Sequence, residues 1–387
     1  MRALSDNERV TDLESILSQW RKLEAGSADY VLATVVRVEG PSYRKPGALM
    51  LLTADGRRAG TVSGGCLEAE VASRAWWLTA GGPTIQRYST ADDDGERPYG
   101  SGCGGVIFLL LERRATAGPL LAALEKAFQK RIPLGMAAIL DGPAMGRRAF
   151  AGIDCAEGRG DVLYTLAEQA LTTRAAFERT MEIENTEVRA WAHCLAARPG
   201  LAIFGAGDDA LPLHRMAREL GWHVQVADGR SHLATRERFQ QAEAVRVLPI
   251  GDLPDSRADG SANLLGDLRA EDAAVVMTHS FEQDSKILAA LLGLATPPAY
   301  IGVLGPLRRT RELLAEAAAL LGISEGATGA QVDRWLGRLY APTGLDLGAD
   351  SPETIALCVV AEIQKTRAAA SALPLRQVRA LKLEIAP

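Results

Sequence analysis

The stretch Leu201-Ala202-Ile203-Phe204-Gly205-Ala206-Gly207-Asp208-Asp209-Ala210 decides how the second half of this chain folds. Residues 201–204 form an apolar run that predicts a short buried strand. Two glycines follow, and a helical pattern opens at Asp208 and runs to Leu220. This is G-x-G-x-x-A in its proper setting. The first glycine allows the tight turn, the second lets a pyrophosphate approach the backbone, and the small Ala210 lets the helix pack on the strand. Asp228 ends the next strand, at the acidic position that meets a ribose hydroxyl in dinucleotide-binding folds. Asp208 and Asp209 count the other way. Their charges suit a helix N-terminus but oppose an incoming phosphate, by an amount on the order of several kcal/mol at a few ångströms in partly screened surroundings. The turn therefore speaks for the fold more firmly than for a bound mononucleotide or dinucleotide.

Outward from that turn, β-α-β alternation continues. Strands are predicted over 224–227, 273–278 and 299–304, with helices over 281–292 and 307–321. Such alternation implies a parallel sheet with right-handed crossovers. Ser351, Pro352 and Thr354 open a last helix that runs to about 368, with Thr354 in the slot where a capping box wants Glu or Gln. The segment beyond 373 reads as an extended arm. Arg198-Pro199-Gly200 marks a domain boundary, giving an N-terminal domain over 1–197 and a Rossmann-like domain over 198–387. His279 follows a strand end in Met277-Thr278-His279-Ser280, where ligands gather in open α/β sheets, although a lone histidine there is more often structural. His214, His223 and His232 receive no role.

The N-terminal domain reads as α+β. Helices are predicted over 12–23, 67–79 and 119–130, and strands over 31–38, 48–53, 57–62, 84–89, 106–112 and 134–140. Residues 141–196 are harder to read, with strand-like alternation over 177–191. The chemical lead is Ser63-Gly64-Gly65-Cys66-Leu67-Glu68, where a strand meets a glycine pair, a cysteine and a helix. A thiol at a helix N-terminus is biased toward thiolate, and Gly64 and Gly65 let a ligand come close. A second glycine-bound cysteine stands in Gly100-Ser101-Gly102-Cys103-Gly104-Gly105. The plain alternative is that each cysteine is a small buried residue at a turn. A hairpin carries Glu39-Gly40-Pro41-Ser42-Tyr43-Arg44-Lys45-Pro46-Gly47 toward the same region, and Arg44 and Lys45 are candidate anion ligands.

Composition excludes several classes. A net charge of −5 and a pI of about 5.7 provide no basic field for nucleic acid. Five cysteines, an odd number without a C-x-x-C, make no disulfide framework or closed zinc site and suggest a reducing cytoplasmic setting. Residues 1–11 are polar and lack the apolar core of a signal peptide, and no apolar run reaches a membrane span. No G-x-S-x-G elbow occurs.

With these residues in view, the chain resembles the XdhC/CoxI family of accessory factors for molybdenum hydroxylases such as xanthine dehydrogenase. The resemblance rests on the Glu39–Ala48 and Ser63–Glu68 runs, the turn at Cys103-Gly104-Gly105 and the turn over 203–210. Met277-Thr278-His279, Tyr300-Ile301-Gly302 and Gly344-Leu345-Asp346-Leu347-Gly348 extend it over nearly the whole chain. It implies a carrier and chaperone, more than a turnover enzyme, for the molybdenum cofactor (molybdopterin). Such a factor holds the cofactor for sulfuration by a cysteine desulfurase and passes it to an apo molybdenum hydroxylase, and a homodimer is implied. Thiolates at Cys66 and Cys103 suit molybdenum or its terminal sulfur, Arg44 and Lys45 suit the phosphate, and the flanking glycines leave room for a pterin. Gly205, Gly207, Asp228 and His279 are the candidate contacts for a nucleotide at the Rossmann-like turn. Family members usually carry His where this chain has Asp208, which cannot act as a neutral imidazole. The competing readings are an NAD(P)- or FAD-dependent oxidoreductase with Cys66 as a redox thiol, and an assembly factor without chemistry.

Overall fold

A computed structural model describes residues 11–65, 67–89, 105–154, 161–183, 185–248 and 265–378. The chain divides into two compact units, Met1–Arg198 and Pro199–Pro387. The first is built on two antiparallel sheets. One has the order β3-β2-β1-β5-β4, from β1 (Tyr30–Glu39), β2 (Leu49–Thr53), β3 (Arg58–Gly60), β4 (Thr84–Ser89) and β5 (Val106–Arg113). The other has the order β7-β6-β9-β8, from β6 (Leu134–Ile139), β7 (Arg148–Ala151), β8 (Phe177–Ile183) and β9 (Thr186–Leu195). Residues 141–196 thus supply β7, a helix and the β8–β9 hairpin.

Strand β1 is buried on both faces, so its sequence Tyr-Val-Leu-Ala-Thr-Val-Val shows no polar alternation. One face, with Leu32 and Val36, packs on Ile16 and Leu17 of α1 (Asp12–Ala25) and on Leu120 and Leu124 of α3 (Arg114–Lys130). The other face, with Val31, Ala33 and Val35, packs on Val71 and Ala75 of α2 (Glu68–Leu78). Helix α1 opens with a capping box between Thr11 and Glu14. Helix α3 begins five residues before Pro119, the predicted start. Pro119 lies inside the helix, where it costs the bond to residue 115, and the shared buried face of Ala117, Leu120, Leu121 and Leu124 outweighs that loss. Helix α4 (Val162–Thr173) had no counterpart in the sequence reading.

The second unit carries a five-stranded parallel sheet of order β12-β11-β10-β13-β14. Its strands are β10 (Gly200–Phe204), β11 (His223–Asp228), β12 (Ala244–Val247), β13 (Ala273–Val276) and β14 (Tyr300–Val303). Around it lie α5 (Ala210–Glu219), α6 (Phe281–Leu292), α7 (Leu307–Leu320), α8 (Glu325–Leu336) and α9 (Pro352–Arg367). Strand order reverses at β10, the topological switch point of doubly wound folds, so the crevice lies past the carboxyl ends of β10, β11 and β13. Helix α9 opens as predicted at Ser351. Thr354 completes a capping box with its hydroxyl, which accepts from Ser351 N at 2.9 Å. The fold is therefore an N-terminal α+β unit followed by a Rossmann-like parallel-sheet unit. No helix among the described residues is long and apolar enough to cross a membrane.

Candidate functional site

In the first unit, β1 and β2 pair antiparallel with Thr34 opposite Leu49, and the 40–47 loop emerges at their open end. Gly40 and Gly47 hold positive φ (72° and 95°), which lets the loop turn out and back. Ser42 Oγ donates to Arg44 O at 2.8 Å within it. Arg44 folds back, pairing with Asp12 at 2.5 Å and bonding Thr61 Oγ1. Lys45 is exposed, and so is Tyr43, at 76%.

The loop meets both glycine-rich segments. A Cβ on Gly64 would lie 3.7 Å from Tyr43 Cγ, in ordinary van der Waals contact with the ring. Gly65 (φ +112°) has open space where a side chain would stand. A Cβ on Gly105 would run into the carbonyl oxygen of Pro41. Described neighbours of both predicted cysteines therefore gather at one loop. Cys66 and Cys103 themselves lie outside the described residues, as does the acidic run over 92–96.

The Gly64-Gly65 turn is shaped by a residue to which the sequence reading gave no role. Glu68 is fully buried at the start of α2. Its carboxylate accepts from Val62 N (3.2 Å), Ser63 N (2.8 Å) and Ser63 Oγ (2.7 Å). Ser63 Oγ in turn accepts from Gly65 N and Leu67 N, both at 3.2 Å. Burial pushes the Glu68 carboxyl up, but the bonds from Ser63 and Val62 outweigh it and hold the group below the usual carboxylate range. The signal was present in the sequence: an acid in the first turn of a helix that follows a Ser-Gly-Gly turn.

In the second unit, the turn after β10 follows the predicted pattern with its helix two residues late, since α5 starts at Ala210. Gly205 has φ +136°, and a Cβ there would strike the carbonyl oxygen of Met277, just after β13. Asp228 has no exposed surface. Its carboxylate accepts from Ala206 N (2.7 Å), Arg230 N (2.8 Å) and the Arg230 guanidinium (2.7 and 3.0 Å). Burial raises its pKa, but Arg230 and Ala206 overcome this and depress it. Its oxygens are thus engaged within the chain where a ribose contact was expected.

Each acid of the turn also has a side-chain partner. Asp208 points outward, 89% exposed, and pairs with Arg238 at 2.8 Å. Asp209 folds over the turn: its Oδ1 would lie 2.7 Å from a Cβ on Gly207, and its Oδ2 accepts from His279 Nε2 at 2.7 Å. His279 takes a left-handed conformation, φ 63°. Beside it, Thr278 Oγ1 donates to buried Asp284 at 2.6 Å, and Asp284 pairs with Arg309 at 2.6 Å. The structure thus brings Gly205, Gly207, Asp228 and His279 to one crevice. It adds Arg230, Arg238, Arg309 and Asp284, which no short motif marked.

Fold and site together define a two-unit protein, in which an antiparallel unit with glycine-rich polar loops is joined to a Rossmann-type unit whose turn is laced with ion pairs. The chain belongs to the XdhC and CoxI family. The family model described as "XdhC and CoxI family" matches residues 23–89, and the one described as "XdhC Rossmann domain" matches residues 201–363. The chain is 32% identical over 356 residues to a Bacillus subtilis protein named as a probable xanthine dehydrogenase subunit; the match covers 87% of this chain and 93% of that one. It is 26% identical to the molybdenum cofactor insertion chaperone PaoD of Escherichia coli, covering 87% and 83%. Among solved structures, a protein described as a xanthine dehydrogenase from Bacillus halodurans superimposes with a TM-score of 0.67 at 26% identity, covering 94% of this chain and 97% of that one.

Proposed function

We propose that this protein is an accessory factor that binds the molybdenum cofactor, protects it, supports its sulfuration and inserts it into a xanthine dehydrogenase-type molybdenum hydroxylase. The observation that carries this reading is the convergence of the 40–47 loop with both Gly64 and Gly105. Family membership and the resemblance to a named cofactor-insertion chaperone support it.

The described residues fit such a group. The open face at Gly65 and the exposed Tyr43 ring suit a flat pterin, and the exposed Lys45 suits a phosphate, with Arg44 beside it once released from Asp12. In this reading Cys66 and Cys103 supply soft sulfur ligands, the chemistry that molybdenum and its terminal sulfur prefer. Glu68 keeps the turn before Cys66 in shape, while the bound cofactor itself supplies the redox chemistry only later, in the hydroxylase. The Rossmann-like unit would take a nucleotide portion if the cofactor carries one. The apo hydroxylase, a cysteine desulfurase and a second copy of the chain are the proposed partners.

The test is retention of isolated molybdenum cofactor by the purified protein after anaerobic gel filtration, read by fluorescence of the oxidised pterin. Wild type should retain cofactor, and Cys66→Ala and Cys103→Ala should each lose most of it. Equal retention by all three would refute the assigned chemistry, and no retention by wild type would refute the carrier role. Binding of NAD(P) or FAD at millimolar concentration would favour the oxidoreductase reading instead.

A further inference from the structure

Beside the 40–47 loop, in the first unit, lies a half-open pocket of about 140 Å³, with Asp12 at its polar side. Its walls are apolar: Leu13 and Ile16 from α1, Leu49 from β2, Leu124 from α3, Met136 from β6 and Leu195 from β9. Its roof is Arg44, Gly47 and Ala48.

Two polar atoms of lining residues, Thr34 Oγ1 and Arg44 Nε, are buried and have no hydrogen-bond partner, and His193 Nδ1, behind the lining, has none either. Thr34 lines the cavity, and alternation along β1 places it on the face of Leu32 and Val36, whose cluster includes Ile16, Leu124 and Met136. Arg44 lines it too, with its outer nitrogen committed to Asp12 and Thr61. His193 shares a face of β9 with Trp191 and the lining Leu195, and stands opposite the lining Met136. Its ring stacks on Trp191 at 5.5 Å and fills the space where a side chain on Gly47 would stand. Burial lowers its pKa and keeps the imidazole neutral.

Six apolar side chains make up most of the lining, so an apolar body is favoured over ordered water against most of this surface. The volume is close to that of an apolar cavity that takes benzene, about 150 Å³. An anion is also disfavoured, because Asp12 already offsets the Arg44 charge.

We propose that this cavity is a binding site for a small neutral molecule with an apolar body of about six heavy atoms and one hydrogen-bond acceptor. Thr34 Oγ1 and Arg44 Nε donate to the acceptor. Because Arg44 and Gly47 form the roof, occupancy is coupled to the loop that carries Tyr43 and Lys45. The site shares Arg44 and the 40–47 loop with the cofactor reading, but its apolar lining and unpartnered donors do not depend on that reading.

Full-length protein labelled with ¹³C-methyl methionine would be titrated at pH 8 with pyridine, benzene and benzoate. The Met136 resonance would be assigned through Met136→Leu. Pyridine should shift it saturably with a millimolar Kd, benzene should bind at least fivefold more weakly, and benzoate should leave it in place. Thr34→Val should bring pyridine down to the benzene level while the thermal midpoint holds or rises, because a buried unpartnered hydroxyl is removed. Ala48→Leu, grown into the space, should abolish the shift. A Met136 signal unmoved by any probe, equal binding of pyridine and benzene, or tighter binding of benzoate would each overturn the proposal.

Discussion

Glu68→Ala should open the turn that precedes Cys66. The carboxylate accepts three hydrogen bonds, two of them from the backbone amides of Val62 and Ser63. Bonds to a charged acceptor contribute about 1.5–3 kcal/mol each, so removing all three should cost about 3–6 kcal/mol after some water enters. Glu68→Gln is the sharper comparison. Its amide oxygen keeps Val62 N and Ser63 N, but its NH₂ faces a Ser63 hydroxyl that already accepts from Gly65 N and Leu67 N. One donor then loses its acceptor, at about 1–3 kcal/mol. Hydrogen exchange in a peptide spanning 60–72 and urea denaturation read the two effects together. The pH sign also follows. Glu68 has a depressed folded pKa, so its contribution is full above the unfolded carboxylate value and is lost as pH falls through the lower folded value. Glu68→Gln should remove that acid limb. If Ala and Gln cost the same, or if neither accelerates exchange in the 60–72 peptide, the clamp is not what holds this turn.

Two further outcomes rest on buried charge. Arg148→Met should cost about 3–5 kcal/mol, because Arg148 and Glu112 pair at 2% and 0% side-chain exposure and the carboxylate is left alone. Burial already pushes Glu112 up despite Arg148, so the deficit in urea denaturation should be larger at pH 8 than at pH 5, and a Glu112→Leu, Arg148→Met pair should recover most of it. Asp228→Asn should cost about 2–3 kcal/mol, less than the first case because Arg230 stays 35% exposed, and Trp222 fluorescence during denaturation should report the loss. Asp228 has a depressed pKa, so wild type should lose this contribution as pH falls below the usual carboxylate range, and the Asn variant should show a flatter acid limb.

How far the sequence led depended on whether the determining contact was local. The Rossmann-like half was legible because the strand, the turn glycines and the caps sit within ten residues of one another, and β10, α6 and the start of α9 fall where the pattern put them. Strand β12 and helix α8 were not read. Four partly exposed residues give β12 little signal, and α8 buries only Val332 and Trp335. In the first unit, α4 was missed although its buried residues 163, 166, 167 and 170 follow a helical period, because the glycines just before it, Gly152, Gly158 and Gly160, blurred its start. For the site, the glycine positions were legible and the partners were not. Nothing local announces that Arg44 pairs with Asp12, or that Asp209 meets His279 seventy residues away.

Those distant partners change what the Rossmann-like turn can do. Its acids were expected to repel a phosphate, and the crevice instead pairs Asp208 with Arg238, Asp209 with His279, Asp228 with Arg230 and Asp284 with Arg309. A phosphate arriving here would not add to a vacant positive site. It would exchange for a carboxylate that already holds the cation, so its affinity is the difference between two ion pairs. The pairs are unequal partners in that exchange. Asp228 and Asp284 are buried and bonded on both oxygens, so Arg230 and Arg309 are costly to release. Each of the other two pairs has one exposed member, Asp208 at 89% and His279 at 60%, so these contacts are better screened and easier to part than the buried ones. An anion entering this turn should therefore displace the Asp208–Arg238 pair before it disturbs the buried Asp228–Arg230 clamp.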